Sequence, residues 1–156
     1  MNWSEYFIKL AETTALKSKD PTTQVGCVIA DMNNRVVSLG YNGFISKCNE
    51  SLMTFERPLK SRLTCHAESN AILFAQKNLD YHTLYCTHGP CPECLKLILQ
   101  SGIRKVTYKD PSVIKDRGTQ EDKNIIRMLI DATSSDVRNI NGQTYLNELG
   151  VSLCLC

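Results

Sequence analysis

Two short stretches constrain this chain more than any others: His66-Ala67-Glu68 and Pro90-Cys91-Pro92-Glu93-Cys94. Together they offer one imidazole, two thiols and an uncommitted carboxylate. Three protein donors leave one position of a tetrahedral zinc open, as catalytic sites do, whereas structural zinc sites generally close with four. The spacing suits that geometry. Cys91 and Cys94 open an apolar run through Leu95, Ile98 and Leu99, so on a first helical turn both sulfurs share a face. Pro90 and Pro92 fit a helix start, where a missing N–H has no intrahelical partner to lose. His66 and Glu68 begin a second helical run, Ala67 to Lys77, with Ala67, Ala71 and Phe74 at i, i+4 and i+7. Two helix N-termini would then converge on one cation, and their positive ends favour thiolates and a deprotonated water. His66, Cys91 and Cys94 are the expected metal ligands, and Glu68 the expected proton carrier. The competing reading is a zinc knuckle in which Glu68 is only solvated or caps a helix. His-x-Glu combined with a proline-flanked Cys-x-x-Cys favours catalysis.

A chain of 156 residues is expected to form one domain, 1–156. A net charge of +2 argues for neither nucleic-acid nor membrane partners. There is no apolar run long enough to span a bilayer and no signal-peptide pattern, so a cytoplasmic location is expected. Eight cysteines do not read as a disulfide scaffold in a chain of this size. Cys27 and Cys86 lie inside apolar runs, as small core residues do. A second zinc drawn from Cys48, Cys65, Cys154 and Cys156 lacks a clean ligand spacing.

Trp3, Phe7, Leu10, Ala11 and Thr14 recur at helical spacing, so residues 3–18 are expected to form an amphipathic helix with its aromatic stripe in the core. Asn2 and Glu5 resemble a capping box, and Asp20-Pro21 stops the helix. The β-rich runs 24–30 and 35–41, joined by Asp31-Met32-Asn33-Asn34, predict an antiparallel hairpin. A long loop follows, from Asn42 to about Arg62. Strands are expected over 83–88 and 103–108, flanking the second zinc helix, which ends at Gly102. That unit implies parallel pairing and a right-handed crossover. It places the metal at the carboxyl end of a central strand. Residues 110–120 read as polar turns, 121–132 as a helix, 133–141 as a connector, 142–149 as a short helix and 151–156 as a final strand. The expected architecture is α/β, a three-layer α/β/α sandwich around a five-stranded mixed sheet.

Five stretches resemble the cytidine deaminase superfamily, and within it the deoxycytidylate (dCMP) deaminases. They are SKDPTTQVGCVI (18–29), GYNG (40–43), CHAESNAILFA (65–75), GPCPEC (89–94) and LILQSGIRKV (97–106). HAE with PCPEC marks the superfamily; SKDP-x-x-QVG followed by GYNG narrows it to dCMP deaminases and near relatives. The resemblance implies one catalytic Zn2+ on His66, Cys91 and Cys94. It implies hydroxide attack on C4 of the cytosine, with Glu68 carrying protons and ammonia leaving to give dUMP for dTMP synthesis. It sets the Ala67 backbone N–H against the pyrimidine carbonyl. Asn42 becomes a contact for the deoxyribose 3′-hydroxyl, with a turn Asn in left-handed geometry as the equal alternative. Ser18 and Lys19 become the phosphate candidates, although a lone Lys is ordinarily a solvated charge. Backbone amides or a neighbouring subunit could hold that group instead. His88 either lines the base pocket or is a satisfied structural His.

Relatives are commonly hexamers activated by dCTP and inhibited by dTTP. The resemblance therefore implies a homo-oligomer with nucleoside triphosphate effectors, which Mg2+ would accompany. Many relatives carry Pro soon after GYNG, where this chain has Phe44-Ile45. Residues 111–141 are longer than the family pattern, and their helix could repack a subunit interface or reshape the substrate mouth. Three other readings stand beside this one. The first is a deaminase of dCTP as well as or instead of dCMP. The second is a tRNA adenosine deaminase, which the uncharged VSLCLC end disfavours. The third is a non-catalytic zinc nucleotide-binding module, which Glu68 disfavours.

Overall fold

A computed structural model describes residues 1–151 of the chain. The elements are α1 (Trp3–Ala15), β1 (Gly26–Ala30), β2 (Val36–Tyr41), α2 (Lys60–Leu63), α3 (Ala67–Ala75), β3 (Thr83–His88), α4 (Pro92–Gln100), β4 (Lys105–Asp110), α5 (Ser112–Arg117), α6 (Gln120–Thr133), β5 (Asp136–Asn139) and α7 (Tyr145–Leu149). The five strands lie in the order β2-β1-β3-β4-β5. β1 pairs antiparallel with both β2 and β3, and β3, β4 and β5 run parallel. The sheet is mixed, with β3 at its centre.

The period-2 alternation of β1 explains the three layers. Val28 and Ala30 join Phe7, Ile8 and Ala11 of α1 in one apolar cluster. Cys27 and Ile29 point the other way, into a larger cluster with Ala67, Ala71, Leu95, Ile98, Ile126 and Tyr145. Thus α1 covers one face, and α3, α4, α6 and α7 pack on the other. Among the described residues, no helix is long and apolar enough to cross a membrane.

Local chemistry sets the element ends. Asn2 accepts from the Glu5 N–H at 2.9 Å while Glu5 accepts from the Asn2 N–H at 2.9 Å, a complete capping box. The β1–β2 turn is closed by Asp31, whose carboxylate accepts from Asn33 and Arg35, with Asn34 at φ 58°.

Several elements differ from the sequence reading. The first helix ends at Ala15, and Trp3 at its start is 55% exposed, although it stacks on Phe7. Phe74 is likewise exposed, so the core face of α3 is carried by Ala67 and Ala71. The small side chains let the helix lie flush on the sheet. The 42–62 loop contains a 3-10 turn, Glu50–Leu52, and leads into α2. The polar 110–120 stretch contains α5. The fifth strand is Asp136–Asn139, inside the segment read as a connector. Only Val137 of that strand joins the larger core, while Asn139 is buried as a polar residue, so no apolar alternation marked it. The strand expected over 151–156 lies, apart from Val151, outside the described residues.

Candidate active site

Two N-caps bring the site together. His66 caps α3, and Cys91 caps α4 in extended backbone with Pro92 in the first turn. The Cys91 sulfur accepts from the Cys94 N–H at 3.5 Å, which folds both thiols onto the start of one helix. His66 is set from the other side. Cys65 exchanges backbone hydrogen bonds with Gly43, at 2.7 and 3.1 Å, tying the HAE segment to the GYNG segment. Gly40 allows the approach: a Cβ there would lie 2.2 Å from the Ala67 carbonyl oxygen and 2.5 Å from the Ala71 nitrogen. The cysteine loop is braced by α7. The Tyr145 hydroxyl donates to the Pro90 carbonyl at 3.0 Å, and the same ring fills the space a Gly89 side chain would need.

His66 Nδ1 lies 3.1 Å from Cys94 Sγ and 3.7 Å from Cys91 Sγ. All three donor atoms fall within 4.8 Å of one another. Zinc with about 2.3 Å bonds to sulfur and about 2.05 Å to nitrogen would need N···S edges of about 3.6 Å. The donor set therefore fits a tetrahedral zinc with one position left for another ligand.

The charges are arranged to match. Hydrogen bonding from the Cys94 thiol, then from His66 and the Cys94 amide, pulls the Cys91 thiol down to about 4. Cys94 is pushed up by its bond to Cys91 and by burial. His66 is raised by its bond to Cys91, against the effect of burial. Glu68 is 5% exposed, and burial raises its carboxyl above the usual range. Its Oε2 accepts from the Cys94 thiol at 3.6 Å, which places a carboxyl oxygen beside the donors.

A cavity of about 230 Å3 opens next to this cluster. His66, Ala67, Glu68 and Cys91 line it, together with Asn42 and His88. Cys94 lies buried behind them. His88 sits at the end of β3, with Nδ1 2.8 Å from Thr87 Oγ1 and Nε2 3.8 Å from Asp110. The Asn42 side chain works inward. Its oxygen accepts from the Val25 N–H at 2.9 Å, and its amide donates to the Thr23 carbonyl at 2.9 Å.

Ser18 and Lys19 do not line this cavity. Ser18 is buried and donates to the Asn42 carbonyl at 2.9 Å, while Lys19 pairs with Glu50 at 3.1 Å on the surface. Both border a neighbouring polar groove instead.

Four charged lining residues were given no role in the site by the sequence reading: Asp20, Arg57, Lys60 and Arg117. Lys60 is buried and donates to Asp20 Oδ1 at 2.9 Å and to Thr22. Burial alone would raise the Asp20 carboxyl, but Lys60 and the amides of Thr22 and Thr23 outweigh it and hold it below the usual range. Asp20 carried a signal only within the SKDP stretch and as the residue before Pro21. The length of the 42–62 loop was the single hint for Arg57 and Lys60.

Residues 1–110 match the zinc-binding region of cytidine and deoxycytidylate deaminases. An uncharacterised deaminase from the luxG 3′ region of Aliivibrio fischeri is 47% identical over 104 residues, 67% of this chain and 70% of that protein. The deoxycytidylate deaminase of Mus musculus is 37% identical over 115 residues, 69% of this chain and 65% of the mouse protein. The chain thus spans about two thirds of the length of these curated relatives. Among solved structures, dCMP deaminase from the cyanophage S-TIM5 in complex with dCMP and dUMP aligns with a TM-score of 0.69 at 27% identity. That alignment covers 87% of this chain and 95% of the phage chain.

Proposed function

This chain belongs to the family of zinc-binding cytidine and deoxycytidylate deaminases, and on that premise we propose that it hydrolyses dCMP to dUMP and ammonia. The observation that carries the reading is the buried Glu68 carboxyl beside three converging metal donors, with Glu68, His66 and Cys91 opening on one cavity. Zinc bound there supplies a water acidified towards a pKa of about 7 and an electrophilic centre for developing negative charge. The remaining work falls to the chain's own groups. Glu68, with its carboxyl raised by burial, accepts a proton at neutral pH and returns it, first to a ring nitrogen and then to the departing amine. Ala67 holds the pyrimidine carbonyl through its N–H, which in the first turn of α3 has no intrahelical partner. Asn42, which lines the cavity with its side chain held by the Val25 N–H and the Thr23 carbonyl, is the contact for the deoxyribose 3′-hydroxyl. Self-association belongs to the same reading: Leu39 and Tyr41 on edge strand β2, and Leu73 and Phe74 on α3, leave apolar surface exposed.

Ammonia release against dCMP, dCTP, CMP, deoxycytidine and a tRNA anticodon stem tests the substrate, with dCTP or dTTP added as effectors. dCMP should be turned over with the highest kcat/KM. Turnover confined to the RNA stem, or to the free nucleoside, would refute the reading. Purified protein should carry about one zinc per chain.

A further inference from the structure

The reading of the chain as a dCMP deaminase leaves the 5′-phosphate without a partner. Lys60, the most buried cation on the cavity wall, is already committed to Asp20 and Thr22. Lys19 is engaged by Glu50 outside the cavity. Two guanidinium groups remain on the cavity lining. Arg57 comes from the segment before α2, and Arg117 is the last residue of α5. Both are exposed, and among the described residues neither forms an ion pair. One exposed arginine is ordinarily a solvated charge. Two of them, from segments far apart in sequence, border the same cavity as His66 and Glu68.

The direction of a bound nucleotide follows from burial. Ala67 and Glu68 are buried where they line the cavity, whereas Arg57 and Arg117 are exposed, so a base placed against Glu68 sends its sugar and phosphate towards the exposed rim. A guanidinium is always charged and offers a planar pair of donors that matches two phosphate oxygens, so it suits a rim where solvent competes.

We propose that Arg57 and Arg117 form a phosphate clamp that makes this chain select a deoxynucleoside monophosphate over the free nucleoside. Arg117 lies beyond residues 1–110, the span matched by the family. Half of the clamp is therefore contributed by the chain's own C-terminal segment.

The test compares dCMP with deoxycytidine in Arg57→Ala, Arg117→Ala, the double variant and Arg117→Lys. The ratio of kcat/KM for dCMP to that for deoxycytidine should fall roughly 10- to 100-fold in each single Ala variant. The loss should lie mainly in KM, because the phosphate contact is the same in ground and transition states. Lys at 117 should restore part of the ratio, keeping the charge and losing the fork. An unchanged ratio would overturn the clamp. Binding of inorganic phosphate, measured by calorimetry on the zinc-loaded protein, separates this proposal from the reading beneath it. Phosphate should bind the wild type and lose affinity in the double variant even if dCMP is not the substrate. Equal affinity in the two proteins would overturn the clamp whatever reaction the chain catalyses.

Discussion

Residues 1–110 and residues 111–151 build the same site by different means. In the first region, the reactive groups stand at helix N-caps and strand ends, where their sequence neighbours fix them. His66 caps α3, Cys91 caps α4, and β3 delivers the cysteine loop. The second region supplies none of the three metal donors and no Glu68 equivalent, yet it touches the site twice. Tyr145 holds the Pro90 carbonyl, and Val113 and Arg117 close part of the cavity. The difference separates two tasks. Chemistry is written in short motifs, whereas the boundary of the cavity is written in long-range packing that a motif does not record.

The sharpest break between the two regions should come at Glu68. Glu68→Gln keeps the shape and removes the proton carrier, so kcat should fall roughly 100- to 10,000-fold. Zinc content, measured by atomic emission, should stay at the wild-type level. Turnover near the wild-type rate would move the proton transfer to another group and dissolve the claim that the first region holds the chemistry.

The next largest effect should come from the ion pair that joins the 18–24 turn to the start of α2. Lys60→Met leaves the Asp20 carboxylate, 1% exposed at its side chain, without its cation. Breaking one partner of a buried pair costs about 3–5 kcal/mol. Urea unfolding at neutral pH should register that loss, and Lys60→Met combined with Asp20→Asn should recover part of it. The pH dependence has a definite sign. Folding holds the Asp20 carboxyl below its ordinary value. Its contribution is therefore complete above the unfolded value of about 4, and is lost as pH falls through the lower folded value. The wild type should lose more stability than the double variant on acidification through that window. Parallel curves would mean that Asp20 titrates alike in both states.

These two residues also mark where the sequence was legible. Glu68 was readable because it stands in the His-x-Glu pattern of the zinc deaminases, two residues after a metal-ligating type of side chain. The layers were readable from the strand–helix–strand order over 83–108 and the helical spacing in α1. Asp20 and Lys60 were opaque, since a pair separated by forty positions leaves no periodic trace. The strand β5 was hidden for a related reason. It is a four-residue edge, its sequence DVRN offers a single apolar residue to the core, and its place is set by pairing with β4. Phe74 erred in the other direction: helical spacing identified a face, but the glycine-mediated approach of α3 to β2 turned that residue outward.

A smaller effect should follow from Tyr145→Phe, which tests whether the second region braces the first. The change removes one buried hydrogen bond and leaves the Pro90 carbonyl without this donor. The cost should be about 0.5–1.5 kcal/mol of stability. Competition with a chelator should show weaker zinc retention, because the braced loop leads directly into Cys91. Unchanged retention alongside reduced stability would make Tyr145 a packing residue only.

The smallest effect should come from Lys19→Ala, and it bears most directly on the division of labour. The Lys19–Glu50 pair sits on the surface with side chains 71% and 53% exposed. Such pairs are worth about 0–1 kcal/mol, and neither residue of this one lines the cavity. Thermal unfolding should barely move, and KM for dCMP should change by less than about twofold, as for other exposed charges outside a binding site. Arg117→Ala, by contrast, removes a cation from the cavity lining itself. A rise in KM for Lys19→Ala as large as that for Arg117→Ala would return phosphate recognition to the SKDP segment. Residues 111–151 would then be a wall of the cavity with no part in selecting what enters it.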